Sequence, residues 1–362
     1  MSRTTFIPAA CRIKAIGVGG GGCNAVNRMV QAEIQGVEFI AANTDVQALN
    51  TSHAPVRVQI GEKISGGLGV GGDPVRGRQA AEESVDELKE VINGAHMVFV
   101  AAGMGGGTGT GASPVIARLA RESGALTVAI VTKPFGFEMA RRTRVATEGI
   151  SRLESEVDAM IMIPNDRILS ITGDKVTVDR AFKSADDVLM TGVRAISEVV
   201  TVPGLINLDF ADLTAVLKDA GQCWLSIGYG SQQDRVVDAA RAAISSDLLE
   251  VPIDGARGVL YVVSGAPNLT LAEVSQAASV VRAAIDPEAT VIFGVTVDPA
   301  LGNDVRVTLV ATGFTPVKAV AEALRDEDFH HLVTELESDE TRLEAPAFMR
   351  RPVALRMMST RK

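Results

Sequence analysis

Residues 103–113, GMGGGTGTGAS, hold six glycines and two threonines directly after the apolar run HMVFVAA. Glycine loses more backbone freedom on folding than any other residue, so such a cluster must be offset by something the fixed backbone gains. Two further clusters, GVGGGGCN at residues 17–24 and GGLGVGGDP at 66–74, pose the same problem. The first two are expected to follow a strand and open a helix. A strand–glycine–helix joint leaves free backbone N–H groups at a positive helix end, where bare main chain can close on phosphate oxygens. Thr108 and Thr110 add hydroxyl donors. Bound polyphosphate is the expected gain. No G-x-x-x-x-G-K-[ST] occurs, which excludes a P-loop NTPase. GVGGGG also fits G-x-G-x-x-G, with Glu38 or Asp45 near the acidic position of a dinucleotide site, so these residues alone leave an NAD-dependent enzyme open.

Apolar runs alternate with helical patterns around these clusters. RIKAIGV, VEFIAAN, HMVFVAA, ALTVAIVT and AMIMIP read as strands. CNAVNRMVQAEI, VRGRQAAEESVDELKEVI, SPVIARLARES and RTRVATEGISRLESEV read as helices, the third with Ser113 as cap and Pro114 in its first turn. That βα alternation predicts a mostly parallel sheet covered on both faces. A long helix is expected from about Val178 to Val200, ending before Pro203-Gly204. Beyond NLDFADLTAVLKDAG, four strands (CWLSIGYG, GVLYVVSG, TVIFGVTV, DVRVTLVATGF) with two helices (DRVVDAARAAI, LAEVSQAASVVRAAI) predict a smaller α/β domain.

Charge and composition narrow the partners. A net charge of −9 argues against nucleic acid, and no apolar run reaches the roughly 18 residues of a membrane span. The N-terminus lacks a signal-peptide pattern, and three cysteines at unrelated spacings suit a reducing cytoplasm. The four histidines show no metal-ligand spacing. Residues 325–344 carry eight acids against two arginines, whereas 345–362 carry four arginines, one lysine and no acid. The C-terminus is thus an electrostatic object of its own, expected to be flexible.

GGGTGTG between a strand and a helix, together with GVGGGGCNAVNRM, AANTD, GLGVGGDP and NLDFAD, resembles the tubulin/FtsZ superfamily, and FtsZ in particular, over about residues 11–315. The resemblance implies a Rossmann-like, mostly parallel sheet GTPase domain (12–177) behind a short extension (1–11). A central helix (178–203), a catalytic loop and helix (204–222) and a second, smaller α/β domain (223–315) would follow. A linker (316–343) and a C-terminal recognition peptide with a basic tail (344–362) would complete the chain. It implies GTP and GDP as ligands, with Mg2+ bound mainly through nucleotide and water. Gly20, Gly21, Gly22 and Asn24 would meet phosphates and base, Gly71 and Gly72 the terminal phosphate, and Gly103, Gly105, Gly106, Gly107, Thr108, Gly109 and Thr110 the diphosphate. Asn43, Thr44 and Asp45 would orient phosphates or a magnesium-bound water. Pro134, Glu138, Arg142 and Asn165 would complete the ribose and phosphate contacts. Glu138 and Arg142 also read as a plain i,i+4 ion pair. Guanine presents two adjacent donors, N1–H and N2–H2, that one carboxylate accepts together; Asp186 would be that acceptor and Phe182, one helical turn away, the stacking ring, the other reading being that Phe182 is core and Asp186 surface.

Asn207, Asp209 and Asp212 lie in NLDFAD at the start of a helix, where the two acids share a face. Acids that merely bound a phosphate chain would repel it, so these fit the orientation of an attacking water. If Asp186 touches the base, the helix to Val200 spans about 21 Å and carries Asp209 away from its own phosphates. The acids would then serve the next molecule, in a head-to-tail open filament. The resemblance further implies a cytoplasmic cell-division polymer at mid-cell. EAPAFMRR resembles a C-terminal recognition peptide, in which Pro346, Phe348 and Met349 would enter a groove of a membrane-tethering or regulatory division protein and Arg350 and Arg351 would meet acids. A non-hydrolysing scaffold is a third reading, disfavoured by the intact acids.

Overall fold

A computed structural model describes residues 11–172, 176–201, 208–246, 248 and 253–314, the backbone alone at 169–172 and 254. Asn207 and the tail positions Pro346, Phe348, Met349, Arg350 and Arg351 lie outside the described residues.

The elements run β1 (Ile13–Val18), α1 (Gly19–Gln31), β2 (Val37–Asn43), α2 (Val46–Asn50), β3 (Val56–Gln59), α3 (Glu62–Ser65), α4 (Pro74–Glu83), α5 (Val85–Ile92) and β4 (Met97–Gly103). Then come α6 (Thr108–Glu122), β5 (Leu126–Lys133), α7 (Met139–Glu154), β6 (Ala159–Pro164), α8 (Asn165–Thr172) and α9 (Val178–Thr201). The last are α10 (Phe210–Leu217), β7 (Gly221–Gly230), α11 (Arg235–Ile244), β8 (Gly258–Gly265), α12 (Leu271–Ala284), β9 (Thr290–Val297) and β10 (Val305–Thr312). The strands form one sheet in the order β3-β2-β1-β4-β5-β6-β7-β10-β8-β9. Pairing is parallel from β3 to β7 and between β8 and β9; β10 is antiparallel to both its neighbours.

The continuous apolar runs follow from coverage on both faces. Along β4, Met97, Phe99 and Ala101 enter the core shared with α1 and α9, while Val98, Val100 and Ala102 enter the core shared with α6 and α7. A strand buried on both faces cannot alternate with polar residues. A third core packs α11 and α12 on β8 and β10. At about 25 cal/mol per Å2 of apolar area, these cores are the dominant favourable contribution to folding.

Three local expectations are corrected. Helix α6 starts at Thr108, five residues before the expected Ser113 cap; Ser113 is buried and Pro114 sits inside the helix. The glycines there admit a neighbouring backbone: a Cβ on Gly111 would lie 2.0 Å from the Pro74 carbonyl oxygen of α4. Glycine serves close approach here, although glycine in a sequence usually signals a break. The glycines at 66–72 follow α3, not a strand, and lead into α4, whereas the first and third clusters each join a strand to a helix, β1 to α1 and β4 to α6. Finally, the helix expected over 75–92 is two, α4 and α5, divided at Ser84, whose hydroxyl accepts the Gly61 N–H at 3.1 Å.

Candidate nucleotide site

The carboxyl ends of parallel strands β1, β4 and β5 open into a cleft of about 430 Å3, the place where open α/β sheets bind ligands. Two helices begin at it. Gly20 and Gly21, in the first turn of α1, and Thr108 and Gly109, at the start of α6, all line the cleft. The first N–H groups of a helix have no partner within it, and a side chain at the N-cap usually takes one. Asp45, Asp73, Asp209 and Thr270 do so for α2, α4, α10 and α12. At α1 and α6 the cap positions are Val18 and Gly107, and neither supplies a side-chain acceptor. Two positive helix ends with uncapped donors therefore converge on one cavity, an arrangement made for an anion.

The glycines divide by what surrounds them. A Cβ on Gly22 would lie 2.2 Å from the Ala101 carbonyl oxygen, so that glycine serves packing. On Gly20 or Gly106 a Cβ would meet no protein atom within 4 Å, and both positions line the cleft. Their bareness leaves room for something other than protein.

Of the sequence-predicted residues, Gly20, Gly21, Asn24, Gly103, Gly106, Gly107, Thr108, Gly109, Pro134, Glu138, Arg142, Asn165, Phe182 and Asp186 share the cleft wall. Glu138 and Arg142 form the i,i+4 ion pair with each other, and both also line the wall. Phe182 is 41% exposed and meets the Phe135 ring edge-on at 5.2 Å, which leaves part of its own surface for a planar ligand. The Asn165 Oδ1 is buried with no hydrogen-bond partner, an acceptor waiting for a donor. Burial pushes the Asp186 carboxyl up to about 7, against the pull of Arg28 and with a further push from Asp187.

Other predicted residues stand behind the wall. Thr110 accepts the Gly105 N–H at 2.8 Å, so its hydroxyl stiffens the loop from within, away from the cavity. Asn43 turns its Oδ1 onto the Thr44 N–H at 2.9 Å, and Asp45 caps α2. Thr44 is buried, and Gly22, Gly71, Gly72 and Gly105 are not among the lining residues. Sequence reasoning missed Met104, Thr132, Ala185 and Leu189. The last two were findable, since residues 182, 185, 186 and 189 form one stripe of α9.

Asp209 and Asp212 are exposed at the opposite end of the sheet. The ring of Phe210, between them, lies 6.3 Å from His96, the residue before β4, whereas Gly103 at the far end of β4 lines the cleft. Seven strand residues separate those ends, about 20 Å at 3.3 Å per residue. Asp209 also accepts the Asp212 backbone N–H at 2.8 Å, capping α10.

Comparison with known proteins agrees with this geometry. Residues 12–173 match the GTPase domain of the Tubulin/FtsZ family, and residues 221–315 match the C-terminal domain of the FtsZ family. The FtsZ dimer of M. jannaschii, solved empty, is 42% identical over 84% of this chain and 88% of its own, with a TM-score of 0.82. Two Haloferax volcanii proteins share the fold at lower identity. CetZ2, in a GTPγS-bound protofilament, is 21% identical over 87% of this chain and 98% of its own, with a TM-score of 0.72. CetZ1, a GDP-bound monomer, is 22% identical over 86% of this chain and 97% of its own, with a TM-score of 0.74. The cleft, the sheet order and these matches make the chain a member of the tubulin/FtsZ family, a GTPase that converts GTP to GDP and phosphate.

Proposed function

We propose that this GTPase is a cytoskeletal protein of bacterial cell division, polymerising head to tail under GTP into a ring at the mid-cell septum. Its domains would be divided as the sequence indicates. The observation that carries the reading is the opposition of the two functional ends: helix-end donors on one side of the sheet and the exposed pair Asp209 and Asp212 on the other. An acid pair held about 20 Å from its own cleft can serve phosphate chemistry only in a stacked neighbour. Repeated stacking of unlike faces gives an open filament. The dimer formed by the M. jannaschii relative supports self-association.

In this reading the first N–H groups of α1 and α6 hold the phosphates, Asn165 takes a ribose hydroxyl, Phe182 packs on the base and Asp186 accepts the two guanine donors. The neighbour's Asp209 and Asp212, with Asn207, orient the attacking water. Among the described residues no group of three or more His, Cys, Asp or Glu side chains is arranged to hold a metal. A Mg2+ carried on the phosphate oxygens and water would neutralise phosphate charge. Among the described helices none is long and apolar enough to cross a membrane. Attachment to a membrane-tethering partner would therefore fall to the tail peptide around Phe348.

Phosphate release per molecule is expected to rise with protein concentration and to track material sedimented under GTP but not GDP. A specific activity independent of concentration would contradict the shared site. Guanine affinity should also depend on pH. A carboxylate is needed to accept both donors, and Asp186 is pushed up to about 7. Below that value each pH unit should weaken GDP binding by up to about tenfold, with a proton released on binding, and Asp186→Asn should flatten the profile. The sign is opposite for folding: a raised acid favours the unliganded native state at low pH, and this contribution is lost as pH rises through about 7. Titration calorimetry of GDP binding in buffers of different ionisation enthalpy reads the affinity and the proton release.

A further inference from the structure

The two edges of the sheet are built differently. At one edge, β3 is four residues long and carries Arg57. Short length and charge are two ways in which an edge strand is kept from pairing with another chain. At the other edge, β9 is eight residues long, TVIFGVTV, with no charge and no proline. Among the described residues it has one strand neighbour, β8, with which it pairs in parallel along its whole length. Its other side has neither protection.

The ends of β9 show which way its backbone faces. The Thr290 N–H donates to the Arg257 carbonyl at 2.8 Å and the Asp298 N–H to the Gly265 carbonyl at 2.9 Å, both toward β8. Backbone groups alternate sides along a strand, so Val291, Phe293, Val295 and Val297 turn their N–H and C=O groups to the free edge. The side chains of these four residues share one face. Phe293 packs there against the core of α11 and α12. Val291 and Val297, near the two ends, remain 41% and 40% exposed.

We propose that β9 is a self-association surface distinct from the head-to-tail joint, on which a second copy of this chain adds its own β9 antiparallel about a two-fold axis. The axis runs through Gly294, which faces its own copy; Val291 then faces Val297 and Phe293 faces Val295, each pair made twice. Residues directly opposite exchange both N–H···O bonds, so every outward backbone group is used. A slip of one residue would set outward groups against inward ones, and a slip of two would leave a valine unpaired in each copy. In the proposed register the exposed valines cover each other, and an aromatic ring meets a β-branched side chain, a favourable cross-strand pair. An uncharged strand also meets no like charge in its copy. Joining identical surfaces closes at two, whereas head-to-tail stacking continues. A contact one strand wide is smaller than the roughly 1,200 Å2 of a stable complex, so the dimer is expected with a dissociation constant on the order of 10 μM.

Sedimentation of the full chain under GDP at about 1–100 μM, with amide hydrogen exchange at both ends of that range, tests the contact. Wild type is expected to pass from monomer to dimer and stop there, with protection rising at the amides of residues 291, 293, 295 and 297. The double variant Val291→Lys, Val297→Lys opposes like charges in both valine pairs and should weaken the dimer at least tenfold. The double variant Val291→Lys, Val297→Glu opposes lysine to glutamate in both and should recover it. Parallel pairing would instead set lysine against lysine and recover nothing. Both positions are exposed, so both variants should melt near the wild-type temperature. A wild type still monomeric at about 100 μM would overturn the proposal, whatever other chain uses the edge. So would a lysine–glutamate variant that fails to recover what the double lysine loses. Should the variants not fold, exchange at the four wild-type amides that is indifferent to concentration would overturn it alone.

Discussion

Gly106→Leu is expected to melt at nearly the wild-type temperature without nucleotide and to lose guanine-nucleotide binding by about 100-fold or more, ~2.7 kcal/mol. The cavity around residue 106 makes the two effects separable. A Cβ there meets no protein atom within 4 Å and the position has no left-handed backbone to strain. Substitutions free of packing, caps or special backbone usually change stability by less than about 0.5 kcal/mol. The leucine side chain would occupy the space that bare backbone keeps open beside the N-terminus of α6. The control is Gly111→Ala in the same cluster. Its methyl would lie 2.0 Å from the Pro74 carbonyl oxygen, an overlap that costs about 1–3 kcal/mol or more. Melting curves and a nucleotide-binding titration on both variants sort the cluster into packing glycines and ligand glycines. Normal binding by Gly106→Leu would mean that no phosphate cradle exists at that turn.

That division marks the limit of what the sequence made legible. Strand cores were readable where burial on both faces leaves no alternative composition: GVLYVVSG coincides with β8, buried throughout, and VEFIAAN with β2, buried over its last five residues. Helix starts were not. α1 and α6 begin inside runs of glycine, and what permits this is contact between elements distant in sequence, such as α4 against α6. The four residues of β3 are too few to show a period. The cleft residues were legible where the motif is local, as in the turn from Gly103 to Gly109. They were misplaced where a side chain's partner decides its role. The Thr110 hydroxyl was expected to face a ligand, but it binds the Gly105 N–H. The Thr44 hydroxyl meets that of a residue 64 positions away. A hydroxyl in a sequence declares that it will be satisfied without declaring by what.

Asp212→Asn is expected to bind GTP as the wild type does, to assemble, and to turn GTP over about 10^2–10^4-fold more slowly, the usual contribution of a group that polarises an attacking water. Binding survives because residue 212 stands at the far end of the sheet from the cleft. The fold survives because its side chain is exposed and the cap of α10 is the Asp209 oxygen, which accepts the Asp212 backbone N–H whatever the side chain. Mixing this variant with Gly106→Leu makes the test decisive. The first has a working cleft and a defective acid; the second has intact acids and a blocked cleft. If the acids act on a neighbour's nucleotide, each variant alone is inactive and an equimolar mixture recovers turnover, because a Gly106→Leu subunit can present Asp212 to the loaded cleft of an Asp212→Asn subunit. If the acids act within their own chain, no mixture recovers anything. Phosphate release from the two proteins, apart and together, distinguishes these outcomes without any knowledge of filament shape. Recovery in the mixture alone would tie hydrolysis to the contact that builds the filament: phosphate would leave from the interface itself, and turnover would loosen the joint that catalysed it.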